Sequence, residues 1–134
     1  MCGMTGFWQR HGGARDALLA QARAMSARLS HRGPDDSGEW CDEAAGVALA
    51  QRRLSILDLS PAGHQPMHSA DGRYVIVFNG EIYNHLALRE RLRAEHVAPP
   101  WRGHADTETL LACFAAWGVE RTAQASVGMF AFAL

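Results

Sequence analysis

The apolar positions in the first half of the chain change their spacing, and each spacing predicts a different element. Residues 1–8 are small and apolar, which indicates a buried strand. From Ala14 to Leu29 the apolar side chains recur every three or four positions, so we predict an amphipathic helix of about four turns. Gly46–Asp58 predicts a strand, a turn at or near Arg52-Arg53, and a second strand. Residues 60–72 predict a polar loop.

The second half opens with the clearest strand signal in the sequence. Tyr74–Phe78 is rich in β-branched and aromatic side chains. Asn79-Gly80 follows, a pair typical of two-residue hairpin turns. We therefore predict that the chain reverses at this pair and that Glu81–Tyr83 begins the return strand.

Two helices are predicted after the hairpin. The first runs from His85 to about Ala94 with Asn84 as its N-cap. The second begins with Asp106 as its N-cap and ends at Gly118, a residue typical of helix C-termini. Strands in hairpins with helices between them predict an α+β fold with antiparallel sheet rather than a doubly wound parallel sheet.

The last residues are unusual for a terminus. Val127–Leu134 is apolar and strand-like, and no polar residue follows it. Natural termini are usually exposed and polar, so we expect the chain to be a fragment that stops inside a buried element.

Composition and charge exclude several classes of protein. The 134 residues suit one domain, and 48% apolar and 20% charged residues are typical of globular proteins. Thirteen Lys and Arg against fourteen Asp and Glu give a net charge of −1, which argues against a nucleic-acid partner. No apolar run approaches the roughly 20 residues of a membrane span, and no signal peptide is visible. We therefore expect no membrane association and a cytoplasmic location.

Cys2 is a candidate nucleophile because it directly follows the initiator methionine. Methionine is generally removed before a small residue, which would place the Cys2 thiol beside its own α-amine, a base whose pKa lies near neutral pH. One residue would then supply both nucleophile and base. The alternative is a small buried residue at a strand start. The other two of the three cysteines, Cys41 and Cys113, suggest no paired zinc or disulfide pattern.

Other polar residues fit the recognition of an amino acid. A zwitterion needs a cation for its carboxylate and acceptors for its ammonium, a requirement that Arg53, Glu81 and Asp106 would meet. The amide of Asn79 and the N–H of Gly80 could both point at one developing oxyanion. Taken singly, Arg53 is typical of a solvated surface charge, Asp106 of a helix cap, and Asn79-Gly80 of a turn.

Together these residues lie in segments that resemble the glutaminase domain of asparagine synthetases, a branch of the class II glutamine amidotransferases. The segments occur in the family's order from residue 1 to the end of the chain. They are Met1–Gly3, Gly6-Phe7, His31–Asp35, Arg53–Asp58, Asn79–Asn84, Asp106–Glu108 and Gly128–Ala133.

The resemblance implies a fold of the N-terminal-nucleophile hydrolase type, an α-β-β-α sandwich of two antiparallel sheets. The family's glutaminase domain usually runs longer, so residues 1–134 are expected to be a partial domain, truncated at the C-terminus. The ATP-dependent synthetase domain that follows in the family is absent from this chain.

The resemblance also implies a mechanism. After removal of Met1, the Cys2 thiol attacks the side-chain amide of glutamine and the Cys2 amine moves the proton to the departing ammonia. The Asn79 side chain and the Gly80 N–H stabilise the oxyanion. Water then hydrolyses the Cys2 thioester to glutamate.

The substrate contacts implied by the family are Arg53 on the glutamine α-carboxylate, with Glu81 and Asp106 on its α-ammonium. The segment with His31, Arg32 and Asp35 receives no chemical step, and we expect it to shape the loop beside the pocket. No cofactor or metal is implied for this domain. ATP and magnesium are expected only in the synthetase domain.

The implied partners are glutamine and a C-terminal synthetase domain, and a homodimer of the full-length protein is compatible with the family. The ammonia acceptor is left open between aspartate, which would give asparagine, and a sugar acid or other carboxylate. A third hypothesis is a non-catalytic glutamine-sensing or assembly domain, against which a nucleophile at position 2 argues.

Overall fold

The computed structural model describes residues 2–55 and 60–134, and this part of the chain forms six strands and four α-helices. The strands are β1 Gly3–Trp8, β2 Asp36–Asp42, β3 Val47–Arg53, β4 Met67–His68, β5 Val75–Ile82 and β6 Gly128–Ala133. The helices are α1 Arg15–Ala27, α2 His85–Ala94, α3 Asp106–Trp117 and α4 Val119–Ala125. The predicted α+β class is confirmed. Met1 and residues 56–59, which include part of the second strand predicted in Gly46–Asp58, lie outside the described residues.

The first sheet has the order β1-β3-β2 with antiparallel pairing throughout. Its outer face is covered by α1, the amphipathic helix that the apolar spacing predicted. Leu18 and Ala22 of the helix pack against Ala48 and Ala50 of β3. These alanines are small enough to let the helix approach the sheet closely, and all four side chains are almost completely buried.

The second sheet has the order β4-β5-β6, and it is also antiparallel. Ile76, Phe78 and Ile82 alternate along β5 and form one apolar cluster with α2 and α3. From α3, Leu110 and Phe114 complete that cluster with no exposed surface. The apolar core of the described residues is therefore divided between the outer faces of the two sheets.

The inner faces of the two sheets meet across β3 and β5. At this contact the Gln51 side-chain amide in β3 donates to the Phe78 carbonyl in β5, at 3.1 Å. Helix, sheet, sheet and helix thus follow one another in layers, an arrangement compatible with an α-β-β-α sandwich. Because side chains alternate along a strand, Arg53 of β3 and Asn79 and Glu81 of β5 belong to these inner faces.

The predicted hairpin at Asn79-Gly80 is wrong, because β5 continues through this pair without a turn. Strand β6 pairs along the same residues, with Gly80 opposite Phe130. Gly80 has φ of 151°, and a Cβ on it would lie 2.2 Å from the Met129 carbonyl oxygen. The glycine is required by the close approach of β6, a strand distant in sequence, rather than by a local reversal.

The predicted turn at Arg52-Arg53 is also wrong. Both arginines belong to β3, whose reversal lies earlier, at residues 43–46 between β2 and β3. Strand β2 was not predicted because Asp36–Asp42 is largely polar and contains a glycine. Its pairing with β3 along the full length of both strands compensates for this weak local signal.

The helix bounds agree closely with the sequence, and Gly118 ends α3 as predicted, but neither Asn84 nor Asp106 caps a helix N-terminus with its side chain. Asn84 occupies the N-cap position of α2, yet its side chain binds Ala125 and Val127 instead of the helix. Asp106 is the first residue of α3, and Ala105 is its N-cap. Helix α4 was not predicted. None of the helices in the described ranges is long and apolar enough to span a membrane.

Candidate functional site

A cavity of about 210 Å³ lies where β1, β3, β5 and the start of α3 come together. All of the residues that the sequence predicted for catalysis or substrate binding line it. They are Cys2, Arg53, Asn79, Gly80, Glu81 and Asp106. The structure therefore brings together residues up to 104 positions apart, the separation of Cys2 and Asp106, while their chemical roles stay predictions.

Cys2 immediately precedes β1 and is half-buried. The Leu54 backbone N–H points at its sulfur, with 3.3 Å between nitrogen and Sγ. The thiol is in turn 3.6 Å from the Leu54 carbonyl oxygen. The Arg32 side chain donates from Nε to the Cys2 carbonyl, at 3.2 Å. The Leu54 backbone thus holds the Cys2 thiol, and the Arg32 side chain holds the Cys2 carbonyl.

The other two cysteines have a different environment. Cys41 is 5% exposed and Cys113 is fully buried. Burial raises the pKa of the Cys113 thiol to about 12, so this thiol stays protonated at neutral pH. Neither residue lines the cavity.

Arg53 places a cation in the cavity wall at the end of β3. Its side chain is 8% exposed, and its Nη1 donates to the Ser60 carbonyl oxygen at 3.1 Å. The guanidinium lies against Gly63, which lines the same cavity. A buried guanidinium at a cavity surface is suited to bind a carboxylate, because its fork of N–H groups matches the two carboxylate oxygens.

Asn79 and Gly80 lie in the middle of β5, directly after a tightly held peptide. The Phe78 N–H donates to the Gln65 side chain at 2.7 Å, and the Phe78 carbonyl accepts from Gln51 at 3.1 Å. The Asn79 Oδ1 atom is buried and has no hydrogen-bond partner among the described residues. The bonds to Phe78 hold this part of β5 in place, and the Asn79 Oδ1 atom can still accept a hydrogen bond from a ligand.

The two carboxylates of the site differ in their exposure. Glu81 is exposed on β5, whereas Asp106 is only 6% exposed. Asp106 Oδ2 accepts from the Ile82 N–H at 2.9 Å, and its Oδ1 accepts from the Thr107 N–H at 2.8 Å. Asp106 therefore joins α3 to β5 instead of capping its own helix.

His85 lies beside these carboxylates at the start of α2. Burial lowers the pKa of its imidazole, and the nearby Arg89 guanidinium acts in the same direction. The charges of Asp106 and Glu81 oppose this effect without cancelling it. The neutral imidazole is therefore favoured in the folded protein.

A buried arginine holds the start of α3 in place. Arg89 donates to the carbonyls of Gly103 and Ala105 at 3.0 and 3.1 Å, and to the Thr109 hydroxyl at 2.7 Å. It also forms an ion pair with Glu108 at 3.3 Å. These contacts fix the loop that presents Asp106, and the amphipathic pattern of α2 gave no sign of this role.

The motif with Arg32 and Asp35, which had no assigned step, supports the site. Besides the contact of Arg32 with Cys2, the Asp35 carboxylate accepts from the Ser55 N–H at 2.8 Å. The Asp35 N–H donates to the Arg53 carbonyl at 3.0 Å. The expected structural role beside the pocket agrees with these contacts, while His31 is simply exposed.

Within residues 2–55 and 60–134, no group of three or more His, Cys, Asp or Glu side chains is placed to hold a metal ion.

Comparison with known proteins relates this geometry to a family. Residues 1–134 match the family described as the glutamine amidotransferase domain. A Mycobacterium tuberculosis protein that bears the name of a glutamine-hydrolyzing asparagine synthetase is 46% identical, over 100% of this chain and 22% of that protein. Glutamine-hydrolyzing asparagine synthetase 1 of Bacillus subtilis is 41% identical, over 98% of this chain and 20% of its own length.

A relative with a different name also matches. The protein named amidase chry2 of Gibberella zeae is 34% identical, over 100% of this chain and 21% of its own length. The chain thus spans about a fifth of the length of these curated relatives.

Proposed function

This chain belongs to the glutamine amidotransferase domain family, and from that premise we propose that it hydrolyses glutamine to glutamate and ammonia through a thioester on Cys2. The observation that carries the proposal is the cavity in which Cys2 meets a buried arginine, a buried carboxylate and the Asn79-Gly80 pair. A thiol, a cation and an anion in one cavity suit a zwitterionic amino acid with a reactive side-chain carbonyl.

In the first step the Cys2 sulfur attacks the side-chain amide carbon of glutamine. Loss of Met1 frees the Cys2 α-amine, which takes the thiol proton as the carbon–sulfur bond forms. The Leu54 N–H, 3.3 Å from Sγ, supports this step because a hydrogen-bond donor stabilises the developing thiolate.

The carbonyl oxygen gains negative charge as the amide becomes tetrahedral. The Asn79 side-chain amide and the Gly80 N–H stabilise this oxyanion, and the fixed Phe78 peptide keeps both donors in place before the reaction. Collapse of the intermediate breaks the carbon–nitrogen bond, and the Cys2 ammonium protonates the departing nitrogen, which leaves as ammonia. Water then adds to the thioester, releasing glutamate and the free thiol.

Substrate recognition follows from the charged residues that line the cavity. Arg53 binds the α-carboxylate of glutamine, while Asp106 and Glu81 bind its α-ammonium. Burial of Arg53 and Asp106 strengthens both interactions, because charges separated from water attract more strongly.

We further propose that the fold is of the N-terminal-nucleophile hydrolase type and that residues 1–134 are a partial glutaminase domain. The layering of helix, sheet, sheet and helix, with Cys2 directly before β1 at the inner contact, supports this assignment. We also propose a cytoplasmic location and, for the full-length protein, a homodimer.

The ammonia is proposed to reach a synthetase domain that amidates aspartate to asparagine with ATP and magnesium. ATP and magnesium are proposed for the synthetase domain only, so no step derived for this chain passes through them. The names of the Mycobacterium and Bacillus relatives favour aspartate as the acceptor. The second candidate is a sugar acid or other carboxylate as the acceptor, and the Gibberella relative, which is named an amidase, shows that matching relatives do not all carry the synthetase name.

The nucleophile is tested by glutamate release from glutamine in the wild-type protein and in Cys2→Ala. We expect the variant to lose activity completely, and Cys41→Ala, as the control, to keep it. Equal rates for wild type and Cys2→Ala would exclude the thioester. The acceptor is tested with amide-labelled glutamine, ATP, magnesium and aspartate, where labelled asparagine is the expected product of the intact protein.

A further inference from the structure

The Arg53 guanidinium occupies the space that a side chain at position 63 would need. Gly63 is buried at the end of a 3-10 turn, Pro61–Gly63, and lines the cavity. A Cβ on Gly63 would lie 2.1 Å from Arg53 Nη2 and 2.6 Å from Cζ. These distances are far below van der Waals contact, and the three nearest atoms all belong to the guanidinium.

The same turn also binds the guanidinium directly. The Ser60 carbonyl accepts from Arg53 Nη1 at 3.1 Å. Within the turn, the Ser60 hydroxyl accepts from the Ala62 N–H at 3.2 Å. One short segment thus provides both a hydrogen bond to Arg53 and the close contact that limits its position.

Contacts on the C-terminal side hold the turn itself. The His64 ring is 2.7 Å from the Asp36 carboxylate of β2. The buried Gln65 side chain bridges the Phe78 N–H of β5 and the Thr107 hydroxyl of α3, at 2.7 and 3.3 Å. Since the turn is fixed to three elements, a side chain at position 63 would displace the guanidinium rather than the backbone.

We propose that Gly63 is a positioning residue that sets where Arg53 meets the α-carboxylate of the substrate. The inference rests on the proposed role of Arg53 in glutamine binding and adds a determinant of affinity that acts through it. A side chain at position 63 should weaken recognition of the α-carboxylate and leave the chemistry at Cys2 intact.

The test compares Gly63→Ala with Ala62→Ser, a control in the same turn, in the intact protein. We expect Gly63→Ala to raise the KM for glutamine about tenfold, which corresponds to the loss of one charge-assisted hydrogen bond. Its kcat should stay within about twofold of wild type, since binding of the α-carboxylate is weakened equally in the ground state and the transition state. The control should keep both constants.

A second substrate separates positioning from a general loss of structure. L-Glutamine α-amide carries a neutral amide in place of the α-carboxylate. The wild-type preference for glutamine over this analogue, measured as a ratio of kcat/KM, should shrink in Gly63→Ala. An equal loss of kcat/KM on both substrates would overturn the inference.

A double-mutant cycle with Arg53→Ala distinguishes this inference from the proposed function. Arg53→Ala alone should raise the KM, and adding Gly63→Ala should raise it no further. A full additional effect of Gly63→Ala in the Arg53→Ala background would overturn the inference alone. An unchanged KM in Arg53→Ala would instead contradict the proposed role of Arg53.

Discussion

At the level of single residues, burial separates one cysteine from the other two. Cys2 is half-buried at the cavity, while Cys41 and Cys113 lie in the apolar clusters of the two sheets. We predict that iodoacetamide labels the native protein on Cys2 only, because a thiol protected by packing reacts only after unfolding. Peptide mass mapping before and after denaturation would check this. Labelling of Cys113 in the native state would contradict the burial argument.

His85 predicts a pH dependence of stability. Its pKa is lowered on folding, mainly by burial, so the unfolded chain binds the proton more tightly. The stabilisation by the neutral imidazole is complete above about pH 6.5, the usual pKa of histidine, and is lost as the pH falls through the folded value. We expect His85→Gln to lose less Tm than wild type between pH 7.5 and 5.5.

The control for this comparison is His11→Gln, a substitution of an exposed histidine in the loop after β1. It should show the same fall in Tm as wild type over that range. If His85→Gln also falls as steeply as wild type, His85 does not contribute to the acid sensitivity.

At the level of elements, β5 shows where local sequence signals are insufficient. The helical spacing of Leu18 and Ala22 predicted α1 correctly, because that pattern depends on one face of one helix. Asn79-Gly80 resembled a turn, yet it lies inside β5 because β6, some 50 residues later in the chain, pairs with it. Local patterns thus predicted α1, whereas the course of β5 depended on a distant partner.

The residues of the candidate site also fall into two groups, those that the sequence predicted and those that only the fold reveals. The residue types that line the cavity were predictable from the chemistry of a zwitterion and from family motifs. Gly63 and Gln65 were not predicted, because their importance depends on contacts with Arg53 and Phe78 that only the folded chain makes. Their sequence surroundings resembled an ordinary polar loop.

The strand pairing at Gly80 gives a prediction for this element. Gly80→Ala would place a Cβ 2.2 Å from the Met129 carbonyl and 2.5 Å from the Phe130 Cα, both on β6. Gly72→Ala is a matched control, because Gly72 also has a positive φ but nothing lies within 4 Å of its Cβ position. We expect Gly72→Ala to cost about 1 kcal/mol of unfolding free energy.

Gly80→Ala should cost about 1–3 kcal/mol more than this control, since backbone atoms of β6 must move. Urea unfolding of both variants would measure the difference. Equal losses of unfolding free energy in the two variants would show that β6 shifts without an energetic cost. The loss in Gly80→Ala would then come from the positive φ of Gly80 alone.

At the level of the whole molecule, a buried hydrogen bond joins the two halves of the protein. Each sheet has its own apolar cluster with its own helices, and Gln51 links the inner faces by donating to the Phe78 carbonyl. Gln51→Leu would leave that buried carbonyl without this donor, which should cost about 1–3 kcal/mol of unfolding free energy. Gln21→Leu, an exposed change on α1, is the control and should cost little.

The tryptophans allow this coupling to be measured separately in each half. Trp8 and Trp40 belong to the first sheet, and Trp117 ends α3 beside the second. In wild type we expect urea to unfold both halves in one transition, as for small domains generally, so that variants keeping only Trp40 or only Trp117 give the same midpoint. In a Gln51→Leu background the two midpoints should both shift down. If they separate instead, the inter-sheet hydrogen bond is what makes the halves fold as one unit.

Because Cys2 and Arg53 come from the first half while Asn79 and Glu81 come from the second, glutaminase activity should disappear at the lower midpoint.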